Sequence, residues 1–444
     1  MRRARYKEIV DTFAAAIRDG SLSPGTKLPT HRRLAVEHGI ALVTATRVYA
    51  ELEKMGLVSG ETGRGTFVRE TSLPLNHGVD QQPISEGMLD LNFNSPSLTK
   101  QTDMFRKALR DLASSGDLEA LLHYQPHAGR KHERAIIAND LMRRGIDVDS
   151  DRVIIVNGAQ HGLATTVMAC LNPGDVVAVD ALIYPGFKVL AEVHQLELVP
   201  IPFSNHEPDL EALEQLCKKR RVKAVYAMPT LHNPMGWVLG AEWRNRLVAI
   251  ARDYNLFIIE DAAYAFHAED PPAPLASIAE DITIYVSGIS KSIATGLRVG
   301  YIVAPLPYIP KIERVIRAIT WNTPALMTSI ACRWIEDKTI IRLESEKRED
   351  AQARQTMARE IFKDFEYVSH PSSYFIWLPL PEEVRSDQIV MELLQANIAV
   401  STAEPFATTE HIPHALRIAL GSVDLHALQA ALIQVRKTIE NYRY

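Results

Sequence analysis

The first seventy residues repeat their apolar positions at helical spacing. Over residues 6–17, Ile9, Val10, Phe13 and Ile17 share a face, and Gly20 with the SLSPG turn ends the run. Thr30 is placed to cap a short helix, THRRLAVEH, which Gly39 stops. Over residues 44–55, Ala45, Val48, Tyr49, Leu52 and Met55 fall together, which leaves Thr44, Arg47, Glu51 and Lys54 pointing outward. Leu57 and Val58, the SGETGRG turn, then Thr66, Phe67 and Val68 predict a β-hairpin. Three helices and a two-stranded wing make a winged helix-turn-helix.

Beyond this head the pattern changes twice. Residues 71–87, TSLPLNHGVDQQPISEG, carry Pro, Gly, Asn and Gln without hydrophobic period and predict a linker. After it, short apolar runs alternate with helical patterns: VIIV before GAQHG, VVAV before DALIYPG, VKAVYAM before PTLHNPMG, LFIIE before DAAY, and TIYVSGISK. Buried β-branched runs, each followed by a turn and a helix, predict βαβ units and a mainly parallel sheet. From about residue 334 a long charged helical pattern leads to YFIWLPL and ALRIALG, read as strands of a smaller α/β subdomain. The predicted organisation is therefore a head over 1–70, a linker over 71–87 and an α/β body over 88–444, with its small subdomain at about 334–444.

Composition narrows the class. With 444 residues, 46% hydrophobic and 23% charged, the chain has material for a large core and more than one folding unit. Cys170, Cys217 and Cys332 show no CxxC or Cys/His spacing, so neither a disulfide framework nor a metal site is expected, and a reducing cytoplasm fits. MRRARYKEIVDTF lacks the apolar stretch of a secretory signal, and the longest segment without Asp, Glu, Lys or Arg, 153–174, is interrupted by Asn157, Gly158, Gln160, Asn172 and Pro173. No membrane role is expected. The net charge of -5 is uneven: residues 1–70 hold 12 Lys and Arg against 8 Asp and Glu, a basic head on an acidic body. Phosphate attraction makes that a pointer to nucleic acid.

In open parallel sheets ligands sit beyond the carboxyl ends of the strands, where the polar residues of this body gather. The run 153–156 enters Asn157-Gly158-Ala159-Gln160-His161-Gly162 and then a helix, so several N–H groups face one point, as a phosphate dianion requires. Asp261 closes one strand and can pair with a protonated heteroaromatic nitrogen, with Tyr264 bonding a phenolate oxygen. Lys291, delivered by another strand, can form a Schiff base with an aldehyde cofactor, and Arg298 can hold its phosphate. Each has an ordinary alternative: a structural turn, a helix cap, a solvated lysine, a surface arginine.

GAQHG, IYPG, HNPMG, DAAY, SK and GLRVGY occur in the order found in fold-type I pyridoxal-phosphate aminotransferases, which the body resembles. The head resembles the GntR winged helix, and the combination resembles the MocR subgroup of GntR transcriptional regulators. The resemblance implies pyridoxal 5'-phosphate as cofactor and Lys291 as its internal-aldimine lysine. It implies Asp261 as partner of the pyridinium nitrogen, Tyr264 and Asn233 on the phenolic oxygen, and Tyr184 stacked on the ring. Ala159, Gln160, Ser290 and Arg298 would hold the phosphate. Tyr124, in YQPHAG, matches a tyrosine that reaches the neighbouring subunit's cofactor and so implies a homodimer. Arg417 matches an arginine that grips a substrate carboxylate; its alternative is a buried strand-pairing arginine. Where the family commonly has a hydroxyl residue three positions before the lysine, this chain has Gly288, with Ser287 beside it.

For the head, the resemblance assigns Thr44 and Arg47 to the recognition helix, Arg32 to the helix before it and Arg64-Gly65-Thr66 to the wing tip, all facing a double-stranded DNA operator. Leu42 departs from the family's frequent arginine. The function expected is a regulator that senses an amino acid or related amine by aldimine exchange at Lys291 and so controls DNA binding. The alternative is a working aminotransferase with an accessory head. A third reading makes the cofactor structural, or itself the signal.

Overall fold

The computed structural model describes residues 5–18, 21–61, 65–69, 88–94, 101–114, 118–204, 207–381, 384–410 and 412–442. The predicted linker 71–87 and Arg64 lie outside these residues.

The head contains α1 (Arg5–Arg18), α2 (His31–His38) and α3 (Leu42–Lys54), then β1 (Val58–Glu61) and β2 (Gly65–Val68), paired antiparallel with Val58 opposite Val68. Thr30 caps α2 by accepting from the Arg33 N–H, and Gly39 ends it in the left-handed region (φ 58). Leu34, Ala45, Val48, Leu52 and Val68 are fully buried in one apolar cluster. Met55 departs from the expectation. Helix α3 starts two residues earlier than the spacing implies and stops at Lys54, so Met55 lies past its last turn and is 41% exposed.

The body's strands are β3 (Leu89–Asp90), β4 (Val153–Val156), β5 (Val176–Asp180), β6 (Glu197–Ile201), the short pair β7 (Phe203–Ser204) and β8 (Glu207–Pro208), β9 (Val222–Ala227), β10 (Phe257–Asp261), β11 (Thr283–Gly288), β12 (Gly300–Val303), β13 (Phe375–Pro379), β14 (Ile398–Ala399), β15 (Ser401–Thr402) and β16 (Ala415–Ala419). The large sheet has the order β4-β12-β11-β10-β9-β5-β6. Only β12 runs antiparallel to its neighbours. Its β-branched runs are buried along their length because helices cover both faces. The small subdomain is built on the antiparallel sheet β13-β16-β15. Its core draws in Leu91 from far upstream, since β3 pairs with β14. Trp334 and Leu343, in contrast, pack in the large subdomain.

Head and body touch. Arg385, at the start of the helix Ser386–Gln395, lies 5.1 Å over the Phe67 ring and donates to Ser59 Oγ (3.3 Å), while Gln388 donates to the Pro24 carbonyl (3.3 Å). Arg69 reaches both carboxylate oxygens of Glu404 at 2.8 Å. No described helix is long and apolar enough to cross a membrane, and no group of potential metal ligands occurs among the described residues.

Candidate functional site

Strand β4 delivers the chain into Gly158, which takes φ 82 and forms the N-terminal boundary of the helix Ala159–Cys170. No side chain caps this end, so the amides of the first turn are open to a ligand. Arg298, itself left-handed (φ 51), lays its guanidinium against the glycine and donates to the Asn157 carbonyl (3.3 Å). A Cβ at position 158 would stand 2.8 Å from Arg298 Nη2, so both the backbone and the close approach require glycine there. Ser290 Oγ is buried nearby without a hydrogen-bond partner, and Gln160 donates to the Gly186 carbonyl (3.0 Å) while its Oε1 has none. Ser287 does not replace the missing hydroxyl: its Oγ donates to the Ala262 carbonyl (3.0 Å). A side chain at position 288 would bring a Cβ within 3.4 Å of the Ala159 nitrogen, so the backbone closes that corner instead.

Alternation along β10 sends two neighbouring carboxylates to opposite faces of the sheet. Asp261, 2% exposed, faces the site and accepts from the Tyr226 hydroxyl (2.8 Å) and the Ala263 N–H (3.0 Å). Burial nevertheless pushes its pKa up, so a cationic N–H partner would be favourable here. Glu260 faces away, toward the N–H groups of Leu275 and Ala276 and the fully buried Arg244 at 4.0 Å. On the site side, Asn233 is buried with its Oδ1 unpartnered, Tyr264 is 8% exposed, and Tyr184 is half-buried at the start of the helix Pro185–Val193.

Lys291 leaves the turn after β11. Its Nζ donates to the Asn94 carbonyl (2.7 Å) and stands 5.7 Å from the centre of the Tyr264 ring. Arg417, on β16, is 3% exposed; Nη1 donates to the Asn92 carbonyl (2.5 Å), Phe375 and Phe406 flank it, and Nε has no hydrogen-bond partner. The strand places Arg417 as a pairing residue opposite Trp377, yet its side chain faces the cavity. Every expected cofactor residue except Tyr124 lines this one cavity of about 250 Å³, and Arg417 lines it too. Tyr124 is 84% exposed, its ring 5.3 Å from Trp321, on the surface where a second subunit would have to meet it.

In the head, Arg32 and Arg47 are exposed and Thr44 half-buried. The Arg47 guanidinium rests 4.3 Å over the Tyr6 ring, and Gly65 begins β2 with φ 125. Leu42 and Val43 stand 47% and 81% exposed at the open end of α3.

The sequence pattern of aminotransferase class I and II matches residues 86–433. The chain belongs to this family. A second pattern, bacterial regulatory proteins of the gntR family, matches residues 5–68, so a GntR head is joined to an aminotransferase body in the MocR arrangement. YdeF of Bacillus subtilis, described as an uncharacterized HTH-type transcriptional regulator, is 26% identical over 98% of this chain and 94% of its own length. The 2-aminoadipate transaminase of Thermus thermophilus is 25% identical over 78% of this chain and 88% of its own. Among solved structures, an archaeal alanine:glyoxylate aminotransferase superposes with a TM-score of 0.75 at 23% identity, over 80% of this chain and 92% of that one.

Pyridoxal phosphate is the cofactor of this aminotransferase body. The residues fit it: open helix amides with Arg298 and an unpartnered Ser290 hydroxyl for a phosphate, a buried carboxylate for a ring N–H, and a lysine between them. Sequence reasoning missed Tyr226, which steadies Asp261, and the carbonyls of Asn92 and Asn94. Tyr226 was detectable as the one hydroxyl inside the VKAVYAM run.

Proposed function

We propose that the chain is a cytoplasmic, homodimeric transcriptional regulator whose aminotransferase body senses an amino acid or related amine and so controls binding of the heads to a double-stranded DNA operator. When bound, the cofactor supplies an aldehyde carbon that an effector amine can capture in place of Lys291. Arg417 offers the effector's carboxylate a planar pair of donors, its Nε being without a partner inside the protein. Asp261 holds the ring nitrogen's proton, and Tyr264 and Asn233 hold the phenolic oxygen. Ala159, Gln160, Ser290 and Arg298 take the phosphate, and Tyr124 contributes across the dimer. In the head, Arg32, Thr44, Arg47 and the 64–65 wing tip meet the DNA. The observation that carries this reading is that both modules lie in one polypeptide, along with relatives that match it nearly end to end and are described as transcriptional regulators. An effector that changes DNA affinity tenfold must favour one head arrangement by about 1.4 kcal/mol.

The test is to titrate amines against the purified chain while following the visible spectrum and, in parallel, a mobility shift on the DNA upstream of its own gene. The reading expects one amine to change both at the same concentration; release of DNA without any spectral change would overturn it. The second reading, a working transaminase with an accessory head, draws support from the similarity to the Thermus enzyme. Lys291, once free, can act as general base, so no group needed for turnover is missing. Sustained turnover of amino donors without DNA binding would favour it.

A further inference from the structure

Lys347 lies in the helix Thr339–Ile361, with no exposed surface. Its Nζ donates to the carbonyls of Lys291 (3.0 Å) and Ile293 (2.9 Å), which bracket Ser292 in the turn after β11. The Ile293 carbonyl also accepts from Gln101 (2.7 Å), and Ser292 folds back onto the Ile289 carbonyl (3.3 Å). A buried ammonium is costly unless hydrogen bonds compensate it, so this lysine is an expensive way to fill space. Burial, followed by the Lys291 charge, draws its pKa down to about 8, against the pull of Asp350 and Glu344 on its own helix. Facing it, His267 is buried with neither ring nitrogen hydrogen-bonded. Burial and the charges of Lys347, Arg348, His370 and Lys291 hold that ring neutral.

We infer that Lys347 is a positioning residue for Lys291: its ammonium grips the turn from behind and fixes where the Lys291 side chain enters the cavity. A long side chain on a slack turn samples many positions, and small displacements of a reacting group lower its effective concentration steeply. This inference rests on Lys291 being the cofactor lysine.

The test uses the full chain, stripped of cofactor and titrated with pyridoxal phosphate. Lys347→Met keeps the bulk and removes donors and charge; Lys347→Gln restores donors without charge. Read out are the dissociation constant, the rate of borohydride trapping at Lys291 with peptide mapping, and the melting temperature of the stripped chain. Lys347→Met should weaken retention about tenfold and slow trapping at Lys291 in the same sense. Lys347→Gln, which restores donors, should recover most of both. A lowered melting temperature with unchanged dissociation constant and trapping rate would overturn the inference, leaving Lys347 structural. If Lys347→Met does not fold, Gln101→Leu, which removes a second donor to the Ile293 carbonyl, should weaken retention and trapping in the same sense, and no change in either overturns it equally. Failure of the unaltered chain to take up pyridoxal phosphate at all would remove the cofactor reading and this inference with it, whereas unchanged variants of a cofactor-binding chain remove this inference alone.

Discussion

The head and the body bury different things. Among its described residues, the head buries aliphatic side chains, Tyr49 and one polar residue, Thr66. The body buries Asp180, Arg244, Glu260, Asp261, Glu344, Lys347 and Arg417. Burying charge costs free energy, and a fold accepts that cost where the charges do something a surface group could not. On the proposed function the head needs its interior only to hold a shape, because Arg32 and Arg47, both exposed, would present its chemistry outward. The body's chemistry lies inside, at the carboxyl ends of its strands.

If that contrast is right, the largest effect comes from one internal charge. Lys291→Ala should abolish the visible absorption that follows addition of pyridoxal phosphate while leaving the melting temperature of the stripped chain near that of the parent; a surviving band would break the contrast at once. Leu52→Ala, which opens a cavity at a fully buried head position, should cost about 2–5 kcal/mol in head stability. Calorimetry should show that loss in the head's transition, with the cofactor spectrum unaltered.

Glu260 sharpens the comparison through pH. Burial raises its pKa from 4.5 to about 7, so the folded protein holds a proton that the unfolded chain releases between those values. Stability from this group is present below pH 4.5 and is lost as pH rises through 7. Glu260→Gln should remove that slope, a difference of the order of 2 kcal/mol between the unfolding free energies read from urea titrations at pH 5 and pH 7.5. Arg47→Ala is the smallest test, a loss of about 1 kcal/mol in DNA affinity by mobility shift with no change in cofactor binding. A change in the spectrum of that variant would mean that head and body are not separable in this way.

The same contrast explains what could be read in the sequence. The head was legible because its apolar period and its buried set coincide; Met55 fails only because the helix ends one residue before it. The cavity was legible wherever a polar side chain ends an apolar strand, as with Asp261, or follows it, as with Lys291. What stayed hidden has no side-chain signature, such as the Asn94 carbonyl that receives Lys291, or carries a misleading one. Lys347 sits in TIIRLESEKREDAQAR, whose charge density reads as a solvated helix, yet Glu344, Lys347 and Arg354 all face inward. Charge along a helix does not reveal whether a neighbouring turn needs donors.

The contact between Arg69 and Glu404 has one more consequence. Glu404 is two residues from Phe406, which lines the cavity and whose carbonyl accepts from the Ile183 N–H (2.8 Å), while Lys188 donates to the Glu404 carbonyl (3.2 Å). The rim of the cavity and Arg69, at the base of the head, are thus joined by one ion pair. With 29% and 48% of its side chains accessible, that ion pair lies within reach of dissolved salt, so rising ionic strength weakens this contact between head and body.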